Sequence, residues 1–167
     1  MKPPTENLWR IGNVEWRGVR LNTVLSLTKP ISEAKFVWPD GLDFGKFGGV
    51  KSDRHQKDLP FEKTMSPEVL LAYEMNGKPL SRKRGGPVRL VVPGWFATNS
   101  TKWLCRLSLQ SQRAWGHFTT TFYNEKDPTD LKGGMRPVWM VEPNSVIVSP
   151  ESGGQVQGHR VEVSGWA

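Results

Sequence analysis

A mixed α+β fold is what this sequence predicts, on three observations. Apolar residues alternate in short runs, as at Val88, Leu90 and Val92, which is the period of a strand with one buried face. Leu21, Val24 and Leu25 stand at i, i+3 and i+4 ahead of Pro30, the spacing of a short helix that proline ends. The 13 prolines and 17 glycines interrupt the chain too often for a helical bundle. At 167 residues, 37% hydrophobic and 23% charged, the chain is long and apolar enough to bury a core in one domain, with residues left over for part of a second. Its eight tryptophans lead us to expect a core dominated by aromatic packing.

Taken in order, the helix around Leu21–Leu25 is followed by a buried strand over Lys35–Trp38. That strand breaks into a Pro39-Asp40-Gly41 turn, which delivers Asp43 to a loop. Gly, Lys, Asp and Arg content from Phe44 to Lys57 predicts an exposed loop. A short helix is expected near Glu62–Met65, then a hairpin about Asn76-Gly77, the dipeptide that fits a type I′ turn. In the next strand Val88, Leu90 and Val92 face one side and Arg89 the other. After a Pro93-Gly94 break, Trp103, Cys105, Leu107 and Leu109 repeat the alternation. Beyond Tyr123 a polar linker leads to two strands, Ser145–Val148 and Arg160–Ser164, joined by a glycine-rich loop. Two strands alone are not a stable unit in water.

A formal charge of +7 concentrates anions at the surface, so an anionic partner or substrate is expected. One cysteine excludes an internal disulfide, and His55, His117 and His159 are too scattered for a zinc site. The first ten residues have no apolar core of a signal peptide, and nowhere is there a run long enough to span a bilayer. A soluble chain without a membrane partner is the expectation, with its compartment open.

Four fragments carry a resemblance. "VLLAYEMNGKPL", "GGPVRLVVPGW", "STKWL" and "SVIVSP…VEVSGWA" are similar, in order and nearly in spacing, to the molybdopterin-binding oxidoreductases of the sulfite oxidase family, from about "IGNVEWRGVRL" to the last residue. The resemblance implies a sulfite-oxidase-type molybdopterin-binding fold, in part, over residues 1–130. Residues 131–167 would then be a linker and the first strands of an immunoglobulin-like β-sandwich used for dimerisation. It implies a molybdenum–molybdopterin cofactor, whose phosphate calls for cations and backbone donors. Arg89 and the Ser100, Thr101, Lys102 loop are the residues it assigns to that cofactor, with the Pro93-Gly94 break letting the chain wrap around the pterin. Asp43 matches a cofactor-contacting aspartate, able to accept from ring and amino N–H groups. Arg84 stands where the family usually has a histidine, and can hold phosphate bidentately. Tyr123 matches the family's active-site tyrosine. Arg54, His55 and Lys57 would add positive charge near the mouth, or would be only a solvated loop.

In the family, molybdenum is bound by a cysteine thiolate upstream of "IGNVEW", and no cysteine stands there in this chain. Cys105 is expected to be buried core filler and not a metal ligand. The resemblance thus implies an oxidoreductase that transfers an oxygen atom to or from a small oxyanion, represented by a truncated or fragmentary chain, with homodimer formation through its C-terminal strands. Two other readings stand beside it. One is a catalytically silent remnant that binds a partner. The other is a basic nucleic-acid-binding domain, which rests on charge and aromatics alone, without RRM or KH signatures, so nucleic acid is not expected as a partner.

Overall fold

The computed structural model of the chain describes residues 13–29, 32–143 and 145–166. In chain order the elements are β1 (Trp16–Arg20), α1 (Leu21–Ser26), β2 (Phe36–Gly41), β3 (Gly45–Phe47), β4 (Val50–Ser52), β5 (His55–Gln56), β6 (Leu59–Pro60), α2 (Phe61–Thr64), β7 (Leu70–Met75), β8 (Lys78–Pro79), β9 (Arg89–Val91), β10 (Leu104–Gln110), α3 (His117–Thr120), β11 (Asn124–Lys126), β12 (Met135–Pro137), β13 (Val146–Ser149) and β14 (Ser164–Trp166). The expected α+β character is there, with strands far outnumbering helices among the described residues. These divide into two compact units, one of Glu15–Met140 and one that holds the C-terminal residues from Val141.

Two four-stranded antiparallel sheets and two two-stranded ones, β3–β4 and β11–β12, lie in the first unit. In one four-stranded sheet β7 pairs with β1 along one edge and shares its other edge between β8 and β9. The turn from β7 to β8 is the expected hairpin. Asn76 and Gly77 have φ of 52° and 69°, the paired positive values that a type I′ turn requires. In the other sheet β2 pairs with β10 and shares its opposite edge between β5 and β6. Leu21, Leu25, Val37, Leu59, Val69, Leu90 and Val92 are buried together where the sheets and α1 meet. Phe61, Leu71, Trp95, Leu107 and Leu109 pack around them. The centre is therefore aliphatic, not aromatic as expected. An indole carries an N–H that needs an acceptor, which favours the edge of a core. Trp38 and Trp103 spend theirs on the carbonyls of Gln112 (2.9 Å) and Arg82 (2.8 Å).

The other corrections have local causes. Pro39, Asp40 and Gly41 form no turn. They continue β2, because β10 supplies a full ladder opposite them, with Leu107 against Pro39 and Arg106 against Asp40. Residues 44–57 are not one exposed loop: they hold the β3–β4 hairpin and β5, and end in Lys57, which is fully buried. The alternation expected across Trp103–Leu109 slips at Cys105, where the register of β10 against β2 shifts between Leu104 and Arg106. The extra residue of such a bulge leaves the ladder. Cys105 is accordingly exposed and not core filler, its thiol donating to the Asp40 carbonyl at 3.3 Å. The boundary expected at residue 130 falls inside the β11–β12 hairpin, so the first unit runs on to Met140.

In the C-terminal unit β13 and β14 pair as a two-stranded ribbon, Val146 opposite Trp166 and Ile147 opposite Gly165. The second strand lies later than the expected Arg160–Ser164, sharing only Ser164 with it. The ribbon leaves Ile147 and Trp166 exposed, and no further strand of a sandwich is present among the described residues.

Lys57 and Asp58 form a buried pair of neighbours with separate partners. Asp58 accepts from Arg113 Nε (2.8 Å) and Nη2 (3.2 Å) and from the Ala114 amide (3.1 Å). Lys57 donates to the Phe118 carbonyl at 2.6 Å. Burial lowers the Lys57 pKa from 10.5 to about 8, with Asp58 acting against that shift and Arg113 adding to it.

Two measurements check these assignments. Between about pH 8 and 10.5 the unfolded chain holds a proton on Lys57 that the folded chain has released, so stability rises with pH across that window. Urea unfolding of wild type and Lys57→Met should show the wild type gaining on the variant from pH 7 to pH 10, and a pH-independent difference would refute a buried, depressed ammonium. A thiol reagent added to native protein should label Cys105 at one equivalent without denaturant. Labelling that waits for unfolding would return this side chain to the interior.

Candidate functional site

Gly41 is the centre of the arrangement. A methyl group built at this position would sit 2.6 Å from the Lys102 carbonyl oxygen, 2.7 Å from Asp43 Oδ1 and 3.0 Å from Thr101 Cγ2. The end of β2 and the 100–102 loop thus close on one spot, and only a residue without Cβ lets the two backbones come this near. Asp43 and Thr101, whose side chains reach that spot, each carry a buried oxygen without a hydrogen-bond partner, Asp43 Oδ1 and Thr101 Oγ1; Asn99 Oδ1, Arg89 Nε, Thr119 Oγ1 and Trp139 Nε1 are unpaired as well among the described residues. Such groups cost free energy when unpaired, and a ligand or an ordered water is what satisfies them. Donors and acceptors are both represented, which suits a pterin edge bearing ring and amino N–H groups and a phosphate.

Backbone hydrogen bonds hold the loop in place. Leu90 N donates to Thr101 O (2.8 Å), Trp103 N to Gly85 O (3.0 Å) and Leu104 N to Val88 O (3.0 Å). Arg89 reaches across this framework, donating from Nη1 to the Arg84 carbonyl and from Nη2 to the Ser100 carbonyl, both at 3.1 Å. Its guanidinium also lies 5.1 Å from the centre of the Trp16 ring. Burial first, and the Arg84 charge second, push the Arg89 pKa below its usual value. Ser100 braces the turn, its hydroxyl accepting from Val92 N at 3.0 Å. Lys102 rests its ammonium 4.5 Å from the Trp103 ring, with its stem against Gly85. Arg84 closes a three-residue 3₁₀ turn, Arg82–Arg84, with its side chain exposed.

Asp43 also lines a cavity of about 150 Å³ with Phe44, Gly45, Lys46, Phe47, Ser52, Arg54, His55 and Phe118. Of the residues assigned to the cofactor, Asp43 lines this cavity and Arg84, Arg89, Ser100, Thr101 and Lys102 do not; Arg54 and His55, expected near the mouth, line it as well. His55 joins the cavity to the loop, its Nε2 2.9 Å from the Thr98 carbonyl. Tyr123 stands beyond Phe118, with ring centres 6.5 Å apart, and does not line the cavity. Its φ of 57° is unusual for a bulky residue, and the Lys57 ammonium lies 5.5 Å from its ring centre. Sequence reasoning had placed Lys57 in a solvated loop. Its only signal was the place next to Asp58 and Leu59, at the start of a buried pair. No group of three or more His, Cys, Asp or Glu residues among those described could hold a metal ion.

Comparison with known proteins bears on this geometry. The "Oxidoreductase molybdopterin binding domain" family matches residues 1–118. The mitochondrial sulfite oxidase of Mus musculus is 33% identical over 174 residues, covering 95% of this chain and 31% of the relative. The sulfite oxidase of Arabidopsis thaliana is 30% identical, covering 94% of this chain and 43% of the relative. Among solved structures, the sulfane dehydrogenase SoxCD from Paracoccus pantotrophus superposes with a TM-score of 0.69 at 32% identity, over 83% of this chain and 33% of that one. The chain thus spans about a third of the length of the mouse relative it matches. The family match over residues 1–118, the identity to sulfite oxidases and the shared fold agree: the chain belongs to the molybdopterin-binding oxidoreductase domains of the sulfite oxidase family.

Proposed function

We propose that this chain forms the molybdopterin-binding part of an oxidoreductase that moves an oxygen atom to or from a small oxyanion. The observation that carries the reading is the pair of unpaired buried oxygens, on Asp43 and Thr101, whose side chains meet at a glycine that admits no side chain of its own. Asp43 would accept from the pterin's N–H groups, and Thr101 and Asn99 would satisfy its remaining polar edge. Arg89, already fixed on two carbonyls, would turn its unpaired Nε toward the cofactor. Lys102 and Arg84 would meet the phosphate, one as a point charge and one as a fork. When bound, the molybdenum supplies the two-electron redox chemistry that a polypeptide lacks. Tyr123 would orient substrate by its hydroxyl, at a distance from the cradle set by Phe118. The C-terminal ribbon, with Ile147 and Trp166 exposed, would be the opening of an immunoglobulin-like sandwich and a contact for a second copy.

The test is retention of pterin by the purified chain, read as the fluorescence of its oxidised form per mole of protein. Lys102→Gln removes a charged donor worth roughly 1.5–3 kcal/mol, so retention should fall about tenfold to a hundredfold with the unfolding midpoint nearly unchanged. Gly41→Ala puts a methyl into the cradle and should abolish retention. If both variants bind as wild type does, the cradle is elsewhere and the reading fails.

A further inference from the structure

Next to the Asp43 cavity, and sharing Ser52 and Arg54 with it, is a larger one of about 470 Å³ that the cofactor reading does not use. Its lining includes Lys51, Asp53, Arg54, Gln56, Arg106 and Trp115. Its cations are held in position. Asp40, 1% exposed, lies beneath and accepts from Arg106 Nε (2.8 Å) and Nη2 (2.5 Å), from Gln56 Nε2 (2.8 Å) and from Arg54 Nη1 (3.5 Å). One buried carboxylate therefore fixes two guanidiniums side by side and consumes their inner donors. Nη1 of Arg106 makes no hydrogen bond among the described residues, and the two side chains remain 56% and 43% exposed. Lys51 adds a third cation. Asp53, 82% exposed, is the one carboxylate in the lining, and it touches Arg54 at 3.4 Å.

In the same lining Trp115 is 71% exposed, an unusual cost for an indole. Its only aromatic neighbour among the described residues is Trp38, tilted by 58° at 6.3 Å, which is not a stack and leaves a ring face uncovered. Fixed cations and a bare indole in one lining match a ligand that joins an oxyanion to a flat ring. The volume agrees: it falls in the range of small-molecule sites, roughly 300–1,000 Å³, and far exceeds the need of an inorganic oxyanion. We propose that this cavity binds a small molecule of the nucleotide class, a phosphate joined to an aromatic ring, independently of the cofactor cradle at Gly41. Arg106, Arg54 and Lys51 take the phosphate, and Trp115 takes the ring.

The experiment is calorimetric titration of the whole chain with AMP and, separately, with inorganic phosphate at equal ionic strength. AMP should bind at least about tenfold tighter than phosphate, the increment expected of one ring stacked on an aromatic side chain. Trp115→Ala, an exposed position that the fold tolerates, should erase that increment and leave phosphate binding intact. Lys51→Gln should weaken both ligands, while Lys102→Gln, in the cofactor loop, should change neither. Equal binding of AMP and phosphate overturns the proposal. So does loss of AMP binding in Lys102→Gln, which would assign the nucleotide to the cofactor cradle. A single-stranded oligonucleotide binding far more tightly than AMP would also overturn it, in favour of an extended nucleic-acid surface. None of these outcomes depends on whether the chain retains pterin.

Discussion

Asp40 is removed from solvent, and a buried carboxylate is tolerated only where protein donors replace the water it has lost. Those donors come from three directions: Arg106 from β10, Gln56 from β5 and Arg54 from the turn before it. The carboxylate therefore sits at the junction of the strands that flank β2, and meeting its charge fixes where they lie. Removing Arg106, which makes the two shortest charged contacts, would leave the buried carboxylate with only Gln56 and the longer contact to Arg54, a greater loss than that of an exposed ion pair. Arg54 and Arg106, both about half exposed, are in this sense structural residues whose outer faces happen to look at solvent.

That arrangement sets the geometry of the proposed cofactor cradle one residue further along. Successive residues of a strand face opposite ways, so with Asp40 committed to the arginines, Gly41 turns toward the 100–102 loop. The bulge at Cys105 takes up the mismatch between β2 and β10 at the same level. A loop carrying Thr101 and Lys102 can then approach the β2 backbone closely, and Asp43 follows at once. The two cavities share Ser52 and Arg54 in their linings, so the turn between β4 and β5 belongs to both.

Much of this could be read from the residues. The α1 spacing, the Asn76-Gly77 hairpin and the burial of Leu90 and Val92 follow from local rules, because turn chemistry and periodicity act over a few residues. So does the grouping of Arg89 with Ser100–Lys102, which the strand–break–strand pattern together with the family likeness brings out. What could not be read was set by partners distant in sequence. Asp40 looked like a turn residue because Pro-Asp-Gly is turn chemistry, and only the ladder from β10 overrides it. Lys57 looked solvated because its neighbours are polar, and only the Phe118 carbonyl and the Tyr123 ring explain its burial. The periodicity through Cys105 fails at a bulge, which leaves no mark in an apolar–polar pattern.

The same dependence on distant partners bears on how the chain reaches its fold. β1 finds β7, and β2 finds β10, across long stretches of intervening chain; Trp38 alone reaches a carbonyl 74 residues away. Helices here are too short to form by themselves and cannot serve as early local structure. Topologies of this kind must close large loops before any pairing repays the entropy, so they assemble slowly and leave strand edges unpaired while they do. A nascent polypeptide of this sequence would hold β2 without its β10 partner until residues near 110 had emerged, an interval in which a chaperone or a cognate ligand has the most to contribute.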